Sequence, residues 1–99
     1  MDKRLLETLG LCRRAGILSY GHDAVFLNII QDKAKLVIFA DDFSEKTRQK
    51  ITKTAEENKI ETILTQFKME EFSKILKKPA GILSVNDGAF AKKIKEQLI

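Results

Sequence analysis

The sequence predicts an α/β protein, a three-layer α/β/α sandwich around a four-stranded sheet that is mostly parallel or mixed. Short apolar runs rich in β-branched residues alternate along the chain with segments whose apolar residues recur at helical spacing. Single helices separate successive strands, and this order favours a sheet covered by helices on both faces. Because 99 residues are the length of one domain, we expect residues 1–99 to fold as a single unit.

Each element follows from its own pattern. Helical spacing predicts five helices, at residues 2–15, 22–32, 44–58, 68–78 and 88–98. Short apolar runs predict four strands, at residues 17–20, 36–40, 61–65 and 80–85. Gly16 and Pro79 are stop signals for the first and fourth helices. Ser44 and Asp87 are favourable N-caps for the third and fifth.

The same periodicity predicts which residues of each helix face the core. The second predicted strand, residues 36–40, is unbroken and apolar, which is typical of a central strand buried on both faces. The helix residues expected to face inward are Leu5, Leu6, Leu9 and Cys12, then Val25, Phe26, Ile29 and Ile30, then Ile51 and Ala55, then Met69, Phe72, Ile75 and Leu76, and finally Phe90, Ile94 and Leu98.

Composition excludes several classes of protein. Hydrophobic residues make up 43% of the chain and there is one proline, which excludes a disordered or low-complexity chain. No apolar run approaches the ~18 residues of a membrane span. Residues 1–4 lead into an amphipathic pattern rather than a secretory signal, so we expect a cytoplasmic protein. Cys12 and His22 are the only residues of their types, so we expect no disulfide within the chain, no metal site and no cofactor.

The net charge of +4 belongs to the two ends of the chain. Residues 1–22 carry +2, residues 23–72 carry −2 and residues 73–99 carry +4. The sequence therefore predicts two basic clusters, each just before a strand, which could meet at one end of the sheet. A basic patch suits a polyanion such as RNA, and the alternative is an ordinary solvated surface. The clusters consist of Arg13 and Arg14 before the first strand and Lys74, Lys77 and Lys78 before the fourth.

Few residues suggest a chemical reaction. Cys12 lies on an apolar helix stripe, which favours a buried small hydrophobe over a nucleophile. His22 starts a helix and could be either an exposed polar residue or a functional one. Asp41 and Asp42 end a buried strand, where α/β enzymes often place carboxylates, but strand exit with helix capping explains them without a reaction. No phosphate-binding glycine loop occurs, so we expect neither an enzyme nor a small-molecule substrate.

Four segments of the chain resemble a known family. They are residues 9–16, 20–25, 33–42 and 85–92, which read LGLCRRAG, YGHDAV, KAKLVIFADD and VNDGAFAK. Together they resemble the ribosomal protein L7Ae superfamily, and in particular its small bacterial YlxQ-type members, along nearly the whole chain. The resemblance implies an α/β/α fold and binding of kink-turn RNA.

The resemblance also implies an RNA site with two parts. The first is the turn after the first strand, where the family pattern is Gly, any residue, Asn, Glu and a Lys a few places on. Gly21 matches the glycine and His22 takes the variable place. Asp23 stands at the Asn, Ala24 at the Glu and Leu27 at the Lys.

The second part is an apolar loop before the last strand. It corresponds here to residues near Lys77, Lys78, Pro79 and Ala80. The lysines, together with Arg13 and Arg14, are expected to contact phosphates.

Aromatic rings and a glycine complete the predicted site. Tyr20 and His22 are expected to stack on exposed bases. Gly21 allows the backbone to approach the ligand, and the helix behind it offers amide donors to a phosphate.

The departures from the family pattern change the chemistry of the turn. An ionised Asp23 only accepts hydrogen bonds, whereas Asn also donates them. Ala24 cannot accept from a base edge, and Leu27 cannot neutralise a phosphate.

The sequence leaves two hypotheses for the function. The first is a non-catalytic, ribosome- or translation-associated protein that binds structured RNA, with ribosomal RNA as a candidate partner. The alternative is a protein-interaction module of the same fold that has lost kink-turn recognition.

Overall fold

The computed structural model describes residues 3–98, which contain five helices and four strands. All nine predicted elements are present, and their ends differ from the predicted ones by a few residues. The predicted helix start at Asp2 lies outside the described residues. In chain order the elements are α1 (Arg4–Arg14), β1 (Leu18–Tyr20), α2 (His22–Ile30), β2 (Leu36–Phe39), α3 (Glu45–Glu57), β3 (Glu61–Leu64), α4 (Met69–Leu76), β4 (Ile82–Val85) and α5 (Gly88–Gln97).

The sheet is mixed, with strand order β1-β4-β2-β3. β2 and β3 are parallel, but β4 lies antiparallel between β1 and β2. The reason is the return of the chain after α4: the Ala40 amide, just past β2, donates to the carbonyl of Gly81, just before β4, at 2.8 Å. β4 therefore starts at the sheet end where β2 finishes. The sequence predicted a sheet that is either mostly parallel or mixed, and the sheet is mixed.

Helices cover both faces of the sheet, as predicted for three layers. Alternate residues of β2 point to opposite faces, with Leu36 and Ile38 on one side and Val37 and Phe39 on the other. The first face packs against buried residues of α1, α4 and α5, and the second against buried residues of α2 and α3. The strand is fully buried, as the unbroken apolar run predicts.

Three helix residues predicted to face the core are exposed instead. Phe26 is 41% exposed and Ile30 is 52% exposed, while Val25 and Ile29 of the same helix are fully buried. α2 packs on β1, an edge strand, and on β4, so only one row of its side chains is covered. Leu98 is 40% exposed because it lies at the C-cap of α5, beyond the helix proper.

Two features bear on function classes. No helix among residues 3–98 is long and apolar enough to cross a membrane.

Cys12 is fully buried in the core on the α1 side of the sheet. This burial, with a smaller contribution from the charge of Asp87, raises the pKa of the Cys12 thiol to about 11. The thiol stays protonated at neutral pH, which agrees with the interpretation of Cys12 as a small hydrophobe.

The turn between β1 and α2 depends on a glycine. Gly21 has φ 92° and ψ 155°, a backbone conformation that is essentially restricted to glycine. A Cβ added at Gly21 would meet no atom within 4 Å, so the restriction is conformational rather than steric crowding.

We predict that Gly21→Ala lowers the free energy of unfolding by about 1–3 kcal/mol, because alanine is strained at this φ and ψ. Urea denaturation measures the change. Gly88→Ala is the matched control, since Gly88 starts α5 without positive φ and has open space around the added methyl. Equal stability of the two variants would contradict the strained turn.

Candidate RNA interface

The β1–α2 turn, residues 20–24, places three exposed residues in the first turn of a helix. The Gly21 carbonyl accepts from the Val25 amide at 3.1 Å and so begins α2. No described side chain caps this helix end. The amides of His22, Asp23 and Ala24 therefore point out of the N-terminus of α2, where anions are favoured.

The loop before β4, residues 77–81, lies beside this turn. β1 and β4 are antiparallel with Tyr20 opposite Leu83, and the Gly21 amide donates to the carbonyl of Ile82 at 3.1 Å. The end of β1 thus meets the start of β4. The two parts of the site that the resemblance implies are brought together at one end of the sheet.

The four predicted loop residues do not all face solvent. Lys77, Lys78 and Pro79 are exposed, and Lys77 has the left-handed φ of 62° that ends α4. Ala80 is 5% exposed and packs in the core with α1, α4 and α5. Its side chain anchors the loop rather than lining its outer surface, and RNA contact at Ala80 stays a prediction.

Two aromatic side chains at the turn have different environments. Tyr20 is half-buried and packs against the core on the α1 side. The His22 ring is 53% exposed, lies parallel to the Phe26 ring within 3° and has a centroid separation of 6.2 Å. His22 Nδ1 is 3.1 Å from the Asp23 carboxylate, which can only accept. The His22 ring is therefore held in a defined orientation over an exposed apolar ring.

Sequence reasoning missed Phe26 as a neighbour of His22. The two residues are four apart on a helix, a spacing that places them on one face, so the signal was present. Their shared exposure could not be predicted, because it follows from the position of α2 over the edge of the sheet.

The third position that departs from the family pattern lies one turn into α2. Leu27 is 51% exposed, and it occupies the place where the family carries a lysine. Asp23 and Ala24 are exposed as well. All three side chains are accessible, so each departure alters the surface that a ligand meets.

A polar network behind the turn was also missed. Asn28 Nδ2 donates to Ser19 Oγ at 2.7 Å, and Asn86 Nδ2 donates to the same oxygen at 3.0 Å. The fully buried Ser84 hydroxyl donates to Asn86 Oδ1 at 3.0 Å. These bonds join α2 to β1 and to the end of β4. The sequence signal for this network was Asn28, a polar residue within the apolar pattern of α2.

The two basic clusters meet, but not for the predicted reason. Because β1 and β4 are antiparallel, the junctions before them lie at opposite ends of the sheet, so the expected meeting at one end is wrong. The clusters are joined by packing of α1 against α4 instead. Arg13, Arg14 and Lys77 line one open cavity of about 660 Å³ between these helices.

This cavity, called here the α1–α4 groove, has an apolar floor and a charged rim. Leu6, Gly10, Leu11 and Ile75 form the floor, while Glu7 joins the three cations on the rim. Lys77 belongs both to the groove and to the loop before β4. Lys78 is exposed in that loop.

Asp41 and Asp42 have structural partners. Asp41 accepts a hydrogen bond from Lys68, which raises the pKa of the Lys68 ammonium. Asp42 Oδ1 accepts from the Met69 amide at 2.8 Å, at the start of α4. Asp42 thus caps a helix, as the sequence predicts, while Asp41 forms an ion pair. Within residues 3–98, no three His, Cys, Asp or Glu side chains are grouped so as to hold a metal ion.

Comparison with solved structures places the fold among known ones. A protein of unknown function from Bacillus halodurans superposes with a TM-score of 0.89 at 22% identity, over 96% of each chain. A Giardia lamblia 15.5kD RNA binding protein superposes with a TM-score of 0.76 at 14% identity, over 97% of this chain and 86% of that one. Both likenesses confirm the predicted three-layer fold.

Sequence comparison identifies the family. A relative from Enterococcus faecium named RNA-binding protein YlxQ is 31% identical over 94 residues, covering 95% of this chain and 90% of the relative. The model of the ribosomal protein L7Ae/L30e/S12e/Gadd45 family matches residues 3–94. The family is named for ribosomal proteins and the relative for RNA binding, in agreement with the non-catalytic function that the sequence predicts. The chain belongs to the ribosomal protein L7Ae/L30e/S12e/Gadd45 family.

Proposed function

We propose that residues 1–99 form a non-catalytic RNA-binding domain that recognises structured, kink-turn-like RNA. The observation that carries the proposal is the bond from the Gly21 amide to the Ile82 carbonyl at the start of β4, which puts the β1–α2 turn beside the loop before β4. This arrangement joins residues 20–24 and residues 77–81, which are far apart in sequence, into one surface. Family membership supports a ribosomal RNA partner and a cytoplasmic, translation-associated role.

The surface offers distinct groups to phosphates and to bases. The free amides at the start of α2 and the side chains of Lys77 and Lys78 attract phosphates. The exposed His22 ring, supported by Phe26, provides a stacking face for a base splayed out at a bend. Gly21 has no side chain to keep the RNA backbone away from the turn.

The departures from the family pattern weaken standard kink-turn recognition. The Asp23 carboxylate is fully exposed beside the amides of α2 and repels phosphate. Ala24 and Leu27 offer no polar atom to a base edge or a phosphate. Phosphate contacts by Arg13, Arg14 and the two loop lysines compensate for part of this loss, so binding depends strongly on salt.

We predict that changing Arg13, Arg14, Lys77 and Lys78 to Gln weakens binding to all structured RNAs alike. Each lost phosphate contact should also reduce the slope of log affinity against log salt by up to about one unit. Fluorescence anisotropy at several salt concentrations measures both effects.

A matched variant controls for the change of net charge. It replaces four exposed lysines on and just after α3, on the other face of the sheet, with Gln. We expect it to bind RNA nearly as well as the parent. Equal losses in the two variants would show that overall charge, rather than this surface, attracts RNA. The residues are Lys46, Lys50, Lys53 and Lys59.

We predict that restoring the family pattern with Asp23→Asn, Ala24→Glu and Leu27→Lys raises affinity for a standard kink-turn RNA by about tenfold or more. Asn regains a donor, Glu regains an acceptor for base edges and Lys regains a counter-charge; one base-edge contact alone is worth about tenfold. The three side chains are exposed, so the fold tolerates the changes.

The control for this variant is a straight duplex of the same length and base composition. The gain should be confined to the kink-turn, because base-edge contacts require the bend. A folded triple variant that binds the kink-turn no better than the parent would contradict the transfer of the family's site to this turn.

A second candidate function is protein binding through α2. The observation that favours it is the exposed apolar face formed by Phe26, Leu27 and Ile30. A partner retained from ribonuclease-treated extract by the parent, and lost by an Ile30→Ser variant that still binds RNA, would favour this function. Retention that depends on intact RNA would count against it.

A further inference from the structure

We propose that the α1–α4 groove binds one unpaired, amino-bearing nucleotide of an RNA, with its phosphate at Arg13, Arg14 and Lys77 and its base toward Glu7. The inference rests on the proposed RNA binding and adds a second contact surface away from the β1–α2 turn. The groove volume of about 660 Å³ lies within the roughly 300–1,000 Å³ of pockets that hold small ligands.

Three cations from two separate elements line the groove. Arg13 and Arg14 come from the last turn of α1, where cations also favour the helix dipole. Lys77 comes from the C-terminal end of α4, so two helix ends each bring cations to the groove. Guanidinium groups bind phosphate through two parallel hydrogen bonds, which makes these cations a phosphate site.

The floor of the groove suits the flat face of a base. Gly10 keeps it open, since an added Cβ would lie 3.9 Å from Ile75 Cγ2. Leu11 is 42% exposed although it is apolar, and a base lying across the floor would cover it. Bases taken out of a stack are held against apolar and aromatic side chains in this way.

Glu7 determines which base fits. It lies seven residues before Arg14, a helix rise of about 10 Å, so a sugar and a base can extend from the cations to its carboxylate. A carboxylate only accepts hydrogen bonds and pairs with the amino group of cytosine. Uracil has an oxygen in place of that amino group. Within residues 3–98 no hydrogen bond or ion pair engages the Glu7 carboxylate.

The charge of the groove favours RNA over an acidic peptide. Glu7 would repel acidic side chains along the floor, whereas a nucleotide carries its negative charge only at the phosphate end. Residues 77–81 also run from the groove to the β1–α2 turn, so an RNA held at the turn can continue into the groove.

The test uses the full chain with two single-stranded probes, pentacytidylate and pentauridylate. Titrations followed by amide NMR should shift Gly10, Leu11 and Lys77 in a saturable manner. Pentacytidylate should bind more tightly by about tenfold or more, because one hydrogen bond to a charged group accounts for such a factor. Glu7→Gln should bring the two affinities together, since Gln can both donate and accept.

Filling the groove provides the matched pair of variants. Gly10→Leu should abolish the saturable shifts, while Gly88→Leu, which makes the same change at the exposed start of α5, should keep them. Absence of saturable shifts in the groove, their persistence in Gly10→Leu, or equal affinity for the two probes would overturn the proposal. The two probes contain no kink-turn. Any of these outcomes would therefore overturn only the proposal for the groove, and binding at the β1–α2 turn is tested separately by titration with a kink-turn RNA.

Discussion

The antiparallel pairing of β1 with β4 is the constraint on which the proposed interface depends. Tyr20 lies opposite Leu83, and the hydrogen bond from the Gly21 amide to Ile82 extends the pairing by one residue. An antiparallel partner places the end of one strand beside the start of the other. The turn after β1 and the loop before β4 therefore share an edge. A parallel β4 would have put them at opposite ends of the sheet.

A satisfied polar network supports this arrangement from behind. The Ser19 hydroxyl accepts from Asn28 of α2 and from Asn86, and Ser84 donates to Asn86. Every buried side-chain polar atom among the described residues has a hydrogen-bond partner, so the network carries no unpaired group. Because its bonds are directional, it fixes α2 on the sheet more specifically than apolar contacts alone. The first turn of α2 is thereby presented in one orientation.

Local sequence patterns predicted the helices and strands. They could not predict the features that depend on how distant strands pair. Helical and strand periodicities are properties of neighbouring residues, so all nine elements could be predicted. The direction of β4 could not, because it depends on where the 77–81 loop returns the chain. The exposure of Phe26 likewise follows from which strands α2 covers. Arg13 and Lys77 do meet, but through the packing of α1 on α4 rather than through a shared sheet end.

The central claim is that the β1–α2 turn and the loop before β4 form one RNA-binding surface. An amide NMR titration of the full chain with a kink-turn RNA tests it most directly. The account predicts that the amides of residues 20–24 and 77–81, Pro79 excepted, shift together and follow a single affinity. Shifts confined to one of the two segments, or two segments with different affinities, would contradict it.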